Sequence, residues 1–250
     1  MTMRRLALAV FAAGAALAGD PKAAEIAQTM MNAMGGQDAW NKARFVRYDF
    51  KVDIGGKTVV DRSHLWDKQT GRYRIDDRDK QGRERVALFN AGTRQGEVYV
   101  AGKKLEGAAA AAALKDAYAT FINDMYWLAM PWKWTDPGVN LKYLGRKPLD
   151  GKPFDVVQLS FDKVGLTPGD RYLAYVSPAT HLMEHWEYKL QGGQTGSWDW
   201  QYTSTGGVKL ASNHIAKNGK DSISMGDVQV TAATGEARFT DPARPLRHGQ

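Results

Sequence analysis

The sequence predicts a mainly β, α+β fold, in which a meandering antiparallel sheet is crossed by one long helix. Three observations predict it. Short strand-like segments recur every eight to twelve residues or so, as in a meander. Turn dipeptides separate many of them, at Gly55-Gly56, Asp150-Gly151, Gly192-Gly193 and Gly206-Gly207. A single long helical pattern, opened by the alanine run Ala108–Ala113, interrupts the series.

Composition bounds the fold class. The chain has 250 residues, 43% of them apolar and 24% charged. That is enough apolar surface for a sizeable core, which excludes a disordered chain. No apolar run reaches the ~18 residues that a spanning helix needs, which excludes a polytopic helical membrane protein. There is no cysteine, so disulfides, thiolate metal sites and cysteine nucleophiles are excluded together.

Arg4 and Arg5 precede an apolar stretch from Leu6 to Leu17, and Ala16-Leu17-Ala18 follows as an A-x-A site. This is the layout of a secretory signal peptide over residues 1–18, cleaved after Ala18. The expected compartment is therefore the bacterial periplasm. Losing the two arginines takes the net charge from +7 to +5, a modest excess spread along the chain.

Asp20-Pro21 opens an N-terminal helix with a cap and a proline at the first position. Ile26, Met30 and Met34 repeat at four-residue spacing, and Gly35-Gly36 ends the segment. Val46, Tyr48, Phe50, Val52 and Ile54 then alternate with charged residues, the clearest strand in the chain. Gly55-Gly56 reads as a two-residue hairpin turn, with a return strand over Thr58–Trp66. That register sets Asp49 opposite Arg62 and Arg47 opposite His64, with an ion pair on the wet side. Further strands are expected near residues 73–76, 86–90, 98–101, 154–161, 172–176, 182–190, 198–203, 208–215 and 223–231. In the long helix Leu114, Tyr118, Phe121, Met125 and Leu128 form one apolar stripe, and Pro131 requires an end before it. No repeat or linker divides the chain, so residues 19–240 form one domain. Residues 241–250 hold two prolines and little to bury, and are expected to fray.

Catalytic templates largely fail. His181-Leu182-Met183-Glu184-His185 matches the letters H-x-x-E-H, but that zinc chemistry needs a helix, where residues four apart share one face. In a strand the two histidines stand ~13 Å apart. The turn Ser177-Pro178 before it and Gly192-Gly193 after it favour a strand with both histidines outside. No G-x-S-x-G, Walker loop or G-x-G-x-x-G occurs. Asp76-Asp77-Arg78-Asp79 reads as a solvated turn, and the basic stretches are diluted by acids. No catalytic or metal residue is assigned, no cofactor is expected, and nucleic acid is excluded as a partner.

The aromatic content is unusual: eight Trp, ten Tyr and eight Phe. Trp127, Trp132 and Trp134 surround Met130-Pro131. Trp186 and Tyr188 share one strand face, as do Trp198, Trp200 and Tyr202 on the next strand. Paired, these strands present an aromatic wall, which either packs on the long helix or lines a ligand site.

The N-terminal helix, Met-Gly-Gly-x-x-x-Trp at residues 34–40, the alternating strand after it, and Leu65-Trp66-Asp67-Lys68 through Gly71-Arg72-Tyr73-Arg74 resemble the exported LolA- and LolB-type lipoprotein carriers and receptors. Tyr126–Trp132, Asp136-Pro137-Gly138, Asp150-Gly151-Lys152 and Phe154–Val157 are closer to an uncharacterised branch of that group. The resemblance implies an incomplete antiparallel β-barrel (a half-barrel) wrapped around a helix, with an apolar cavity for acyl chains. It also implies that an arginine near the opening latches a helical lid, for which Arg74 is the positional candidate. The expected protein is a non-enzymatic, monomeric binder of a lipid or a lipoprotein acyl chain, docking to a membrane-anchored partner. The expected lining is Trp66, Arg74, Phe121, Trp127, Trp132, Trp186, Trp198 and Trp200, with Trp127 and Trp132 near the mouth. A ligand sensor of the same fold and a zinc-dependent hydrolase using His181, Glu184 and His185 are the alternatives.

Overall fold

The computed structural model describes residues 20–162 and 166–247. The expected signal peptide and its cleavage site lie outside the described residues. Helix α1 (Pro21–Ala33) starts at Asp20, whose Oδ1 accepts the amide hydrogens of Lys22 and Ala23 at 3.0 and 3.2 Å. Met30, Met31 and Met34 are buried against the sheet. A short helix α2 (Gln37–Lys42) seats Trp40, and the chain then enters the sheet.

Strands β1 (Phe45–Ile54), β2 (Lys57–Asp67), β3 (Arg72–Arg78), β4 (Glu84–Asn90), β5 (Gly96–Val100) and β6 (Lys103–Lys104) form a first meander. Helix α3 (Gly107–Ala129) follows, ending in a 3-10 turn over Met130–Lys133 where Pro131 stops the α-helix. Strands β7 (Val139–Leu149), β8 (Lys152–Phe161), β9 (Arg171–Val176), β10 (Met183–Lys189), β11 (Thr195–Thr205), β12 (Val208–Ala216) and β13 (Ser222–Thr231) form the second. The antiparallel pairing of β1 with β13 joins the two meanders into one open 13-stranded sheet, with β6 and β7 at its edges. Helix α3 lies on one face and buries Ala117, Phe121, Met125 and Leu128. This is the expected half-barrel around a helix.

The β1–β2 turn is as expected, with Gly55 and Gly56 at φ +55° and +78°, the left-handed region that a tight hairpin requires. The register beyond it is not. Ile54 pairs Lys57 and Asp53 pairs Thr58, but Val52 pairs Val60, so Val59 is an extra residue. Beyond this bulge Asp49 faces Ser63, and Arg62 and His64 face Phe50 and Tyr48. A one-residue slip turns every following side chain to the other face. Arg62 and His64 therefore point at α3, instead of forming a solvent-side ion pair with Asp49 and Arg47.

Strand β7 has no counterpart in the sequence reading, because Gly145 and Pro148 break its alternation. An edge strand with a bulge between Tyr143 and Arg146 tolerates both. Its Tyr143 amide donates to Asp20 Oδ2 at 2.8 Å, which ties this edge to the cap of α1 and lowers the Asp20 pKa. The acidic cluster at 76–79 is the end of β3 more than a turn, and its carboxylates are held by Arg74, Arg85 and Arg83.

The C-terminal segment is packed, not frayed, as far as Arg247. After the short helix α4 (Ala237–Thr240), Phe239 and Leu246 form a cluster with Phe45 and Leu65 on the outer face, and Leu246 is 1% exposed. Arg74 holds it there, donating to the carbonyls of Arg238, Asp241 and Arg244 at 2.9, 2.8 and 2.6 Å.

Candidate functional site

Helix α3 meets the two halves of the sheet differently. Towards the first meander its contacts are filled. Phe121 packs on Tyr73, with ring centroids 4.5 Å apart, and on Trp66 and Phe89. Asp124, fully buried, receives two hydrogen bonds from Arg62 Nη1 at 3.1 and 2.9 Å and lies 3.1 Å from His64 Nε2. His64 Nδ1 meets the Tyr73 hydroxyl at 3.1 Å, and that hydroxyl meets Tyr48 at 2.9 Å. Burial pushes both tyrosines well above their ordinary pKa, so they stay neutral hydrogen-bonding groups. The strand-to-helix tie runs through Arg62, and exists because of the Val59 bulge.

Towards the second meander the helix leaves space. A cavity of about 650 Å³ lies between them, lined by Tyr118, Ile122 and Tyr126 of α3 and by Phe161, Tyr172 and Trp186 of the sheet. Leu166 also lines it and is 51% exposed, so the cavity opens to solvent there. Arg94, Asn123, Lys133 and Asp136 add a polar edge. Tyr188 can lie across β11 because Gly196 stands opposite: a Cβ there would sit 2.2 Å from the tyrosine ring.

Behind the cavity is an aromatic cluster. Trp127 of α3 meets Trp186 and Trp198 edge-on, with centroids 4.7 and 5.3 Å away. Trp186 meets Trp200 at 5.1 Å, and Trp200 stands over His214, its partner across β12, at 4.2 Å. The indole N–H groups of Trp186 and Trp200 are buried and have no hydrogen-bond partner among the described residues, and His214 is buried beside them with its ring against the Trp127 backbone. Buried polar groups are usually satisfied, so such a concentration at one place needs an explanation. Burial drives the His214 pKa down to about 3, which keeps the ring neutral.

Of the residues expected to line a site, Trp127 and Trp186 border the cavity. Trp200 is buried directly behind Trp186, and Trp198 packs on Trp127. Trp66 and Phe121 belong to the filled side. Trp132 is not at a mouth: it is sealed in the core, stacked on Trp40 at 5.1 Å, with its indole N–H given to the Lys209 carbonyl at 2.9 Å. Arg74 latches the C-terminal segment on the outer face, and no helical lid, because its strand position points away from α3. Tyr118 belongs to the stripe expected to pack on the sheet, and its neighbours Ile122 and Tyr126 have no role in the sequence-based expectation. Their signal was a second row at four-residue spacing, beside the stripe already recognised.

The H-x-x-E-H segment is not helical. His181 sits in a turn at φ +58°, and His185 lies on β10 with its ring bonded to Asp199 and Ser197. Among the described residues no group of His, Asp and Glu side chains is gathered as a metal site.

No protein-family model matches the chain. No curated protein matches it either. Solved structures do. A DUF1329 family protein from Desulfovibrio piger aligns over 87% of this chain and 96% of its own, at 11% identity and a TM-score of 0.50. A LolA superfamily protein from Nitrosomonas europaea aligns over 83% of this chain and 98% of its own, at 13% identity and a TM-score of 0.46. At such identities the likeness speaks for the fold alone, an open half-barrel around a helix shared with the DUF1329 family protein.

Proposed function

We propose that the protein binds a lipid, or the acyl part of a lipoprotein, in the cavity between α3 and the second meander. The observation that carries this reading is an open, mainly apolar cavity between the helix and the sheet. A volume of about 650 Å³ falls within the ~300–1,000 Å³ of small-molecule sites. Tyr118, Ile122, Tyr126, Phe161 and Tyr172 offer mainly apolar surface, and each methylene buried there contributes ~0.8 kcal/mol. Arg94, Asn123 and Lys133 at the polar edge suit a ligand whose acyl chain ends in a carbonyl, ester or acidic head group. Binding of this kind needs no bond-making group, and none lines the cavity.

The signal-peptide layout supports a periplasmic location, reached by export. Among the described residues no helix is long and apolar enough to cross a membrane. In that setting the carrier would be monomeric and would exchange its cargo with a membrane-anchored protein. Native mass spectrometry of the protein gently extracted from an exporting host tests the reading, together with a titration against a fluorescent fatty acid. The expected result is a co-purifying lipid mass and saturable binding. A clean apo mass with no fatty-acid binding contradicts it.

A further inference from the structure

The outer face of the second meander carries an arrangement that the cavity does not use. His185 on β10 faces Asp199 and lies next to Ser197, both on β11. Its Nδ1 is 2.6 Å from Asp199 Oδ1, and its Nε2 is 3.0 Å from Ser197 Oγ. A carboxylate oxygen can only accept, so Nδ1–H donates to Asp199. In the neutral ring this leaves Nε2 as the acceptor for the Ser197 hydroxyl hydrogen. The ring is 2% exposed and wedged edge-on against Tyr175 at 5.3 Å, so its orientation is fixed. Ser197 borders a separate surface cleft of about 750 Å³, also lined by Arg171, Glu187, Lys189, Lys217 and Asp221.

We propose that Ser197, His185 and Asp199 form a nucleophile–base–orienter triad, and that this cleft hydrolyses a small carboxylic ester. A hydroxyl on a sheet surface needs no histidine at Nε2 and no carboxylate at Nδ1 for the strand to be stable. Serine hydrolysis needs both, on those particular nitrogens. Ser197 Oγ bonds to the ester carbonyl carbon as its proton passes to His185 Nε2. The carbon–alkoxy bond then breaks, and that proton leaves with the alcohol. A water next adds its oxygen to the acyl carbon and gives one proton to Nε2. The bond to Ser197 breaks, the free acid departs, and the proton returns to Oγ. Arg171 and Lys189 are the cations at the cleft that can face the oxyanion, Lys217 being bonded to Asp150 at 2.6 Å and Glu187 and Asp221 adding negative charge to the same lining. Asp199 is 57% exposed, so water shares its role and the site is a modest catalyst.

The proposal is independent of lipid binding, because Ser197, His185 and Asp199 stand on the outer face and none of them lines the cavity, although Tyr188 borders both spaces. The purified protein is treated with a fluorophosphonate probe and mapped by peptide mass spectrometry, and p-nitrophenyl acetate hydrolysis is followed in parallel. The expected result is a phosphonyl adduct on Ser197, with hydrolysis reduced to the level of free imidazole in Ser197→Ala. Asp199→Asn is expected to lose about ten-fold in kcat at unchanged KM, far less than the ~10⁴-fold where the aspartate is buried. Thermal melts and fatty-acid titration of both variants, expected to match wild type, separate lost chemistry from lost folding. Absence of any adduct on Ser197, or hydrolysis that survives in Ser197→Ala, overturns the triad whether or not the cavity binds lipid.

Discussion

The two sides of helix α3 use the same materials to opposite ends. On the side of the first meander, Phe121, Tyr73, Trp66 and Phe89 fill the space, Arg62 is hydrogen-bonded to Asp124, and His64, Tyr73 and Tyr48 are hydrogen-bonded to one another, with His64 Nε2 3.1 Å from the Asp124 carboxylate. On the side of the second, an open cavity remains, and two indole N–H groups are buried with no hydrogen-bond partner among the described residues. Filled contacts with an ion pair between strand and helix make a side rigid, whereas a cavity leaves its lining without packing partners until something occupies it. The difference separates the part of the molecule that holds the helix from the part proposed to receive a ligand.

The largest effect is expected on the filled side. Phe121→Asp places a charge among aromatic rings with no partner, and is expected to cost about 4 kcal/mol or more and to abolish cooperative melting. A melting temperature close to wild type would show that this side is not the filled one. Asp124→Leu leaves Arg62 and His64 facing an apolar group. Arg62 is partly exposed, so the expected loss is nearer ~2–3 kcal/mol than the 3–5 kcal/mol of a fully buried pair. Denaturant unfolding measures it.

Matched tryptophans sharpen the comparison. Trp132 and Trp200 are both buried, but Trp132 gives its N–H to Lys209, whereas the Trp200 N–H has no partner among the described residues. Trp132→Leu is expected to cost about 1 kcal/mol more than Trp200→Leu, the net worth of one hydrogen bond. Equal losses would mean that the Trp200 indole is satisfied after all.

Much of this contrast was legible in the sequence, and the missing part has identifiable causes. Period two marked β1, and Pro131 marked the end of α3. The aromatic wall was recognised from Trp186, Trp198 and Trp200, together with the two fates open to it. What escaped was set by tertiary detail. One bulged residue, Val59, turned Arg62 and His64 inward, and nothing in the local pattern announces a bulge. Arg74 was given to a lid because strand parity relative to the C-terminal segment has no sequence signal. Tyr118 reads as part of the core stripe, and Ile122 and Tyr126 beside it go unassigned, because a filled and an unfilled helix face have the same composition.

His214 adds a pH dependence of definite sign. Its folded pKa of about 3 lies below the ordinary 6.5, so the unfolded chain binds more protons between those values. Stability from this group is therefore present above about pH 6.5 and is lost as pH falls towards 3, by roughly 2 kcal/mol at pH 5 relative to pH 7. His214→Phe is expected to flatten the stability curve over that window by this amount. An unchanged curve would place the proton elsewhere.

The central claim is that the space beside α3 is a binding cavity and not a packing gap. Ile122→Trp tests it most directly, because the larger ring fills the cavity from the helix side without touching the Phe121 face. Fluorescent fatty-acid titration and thermal melting are measured on the same sample. The account predicts at least ten-fold weaker binding, with a melting temperature equal to wild type or higher. Undiminished binding in a variant that folds normally would contradict it.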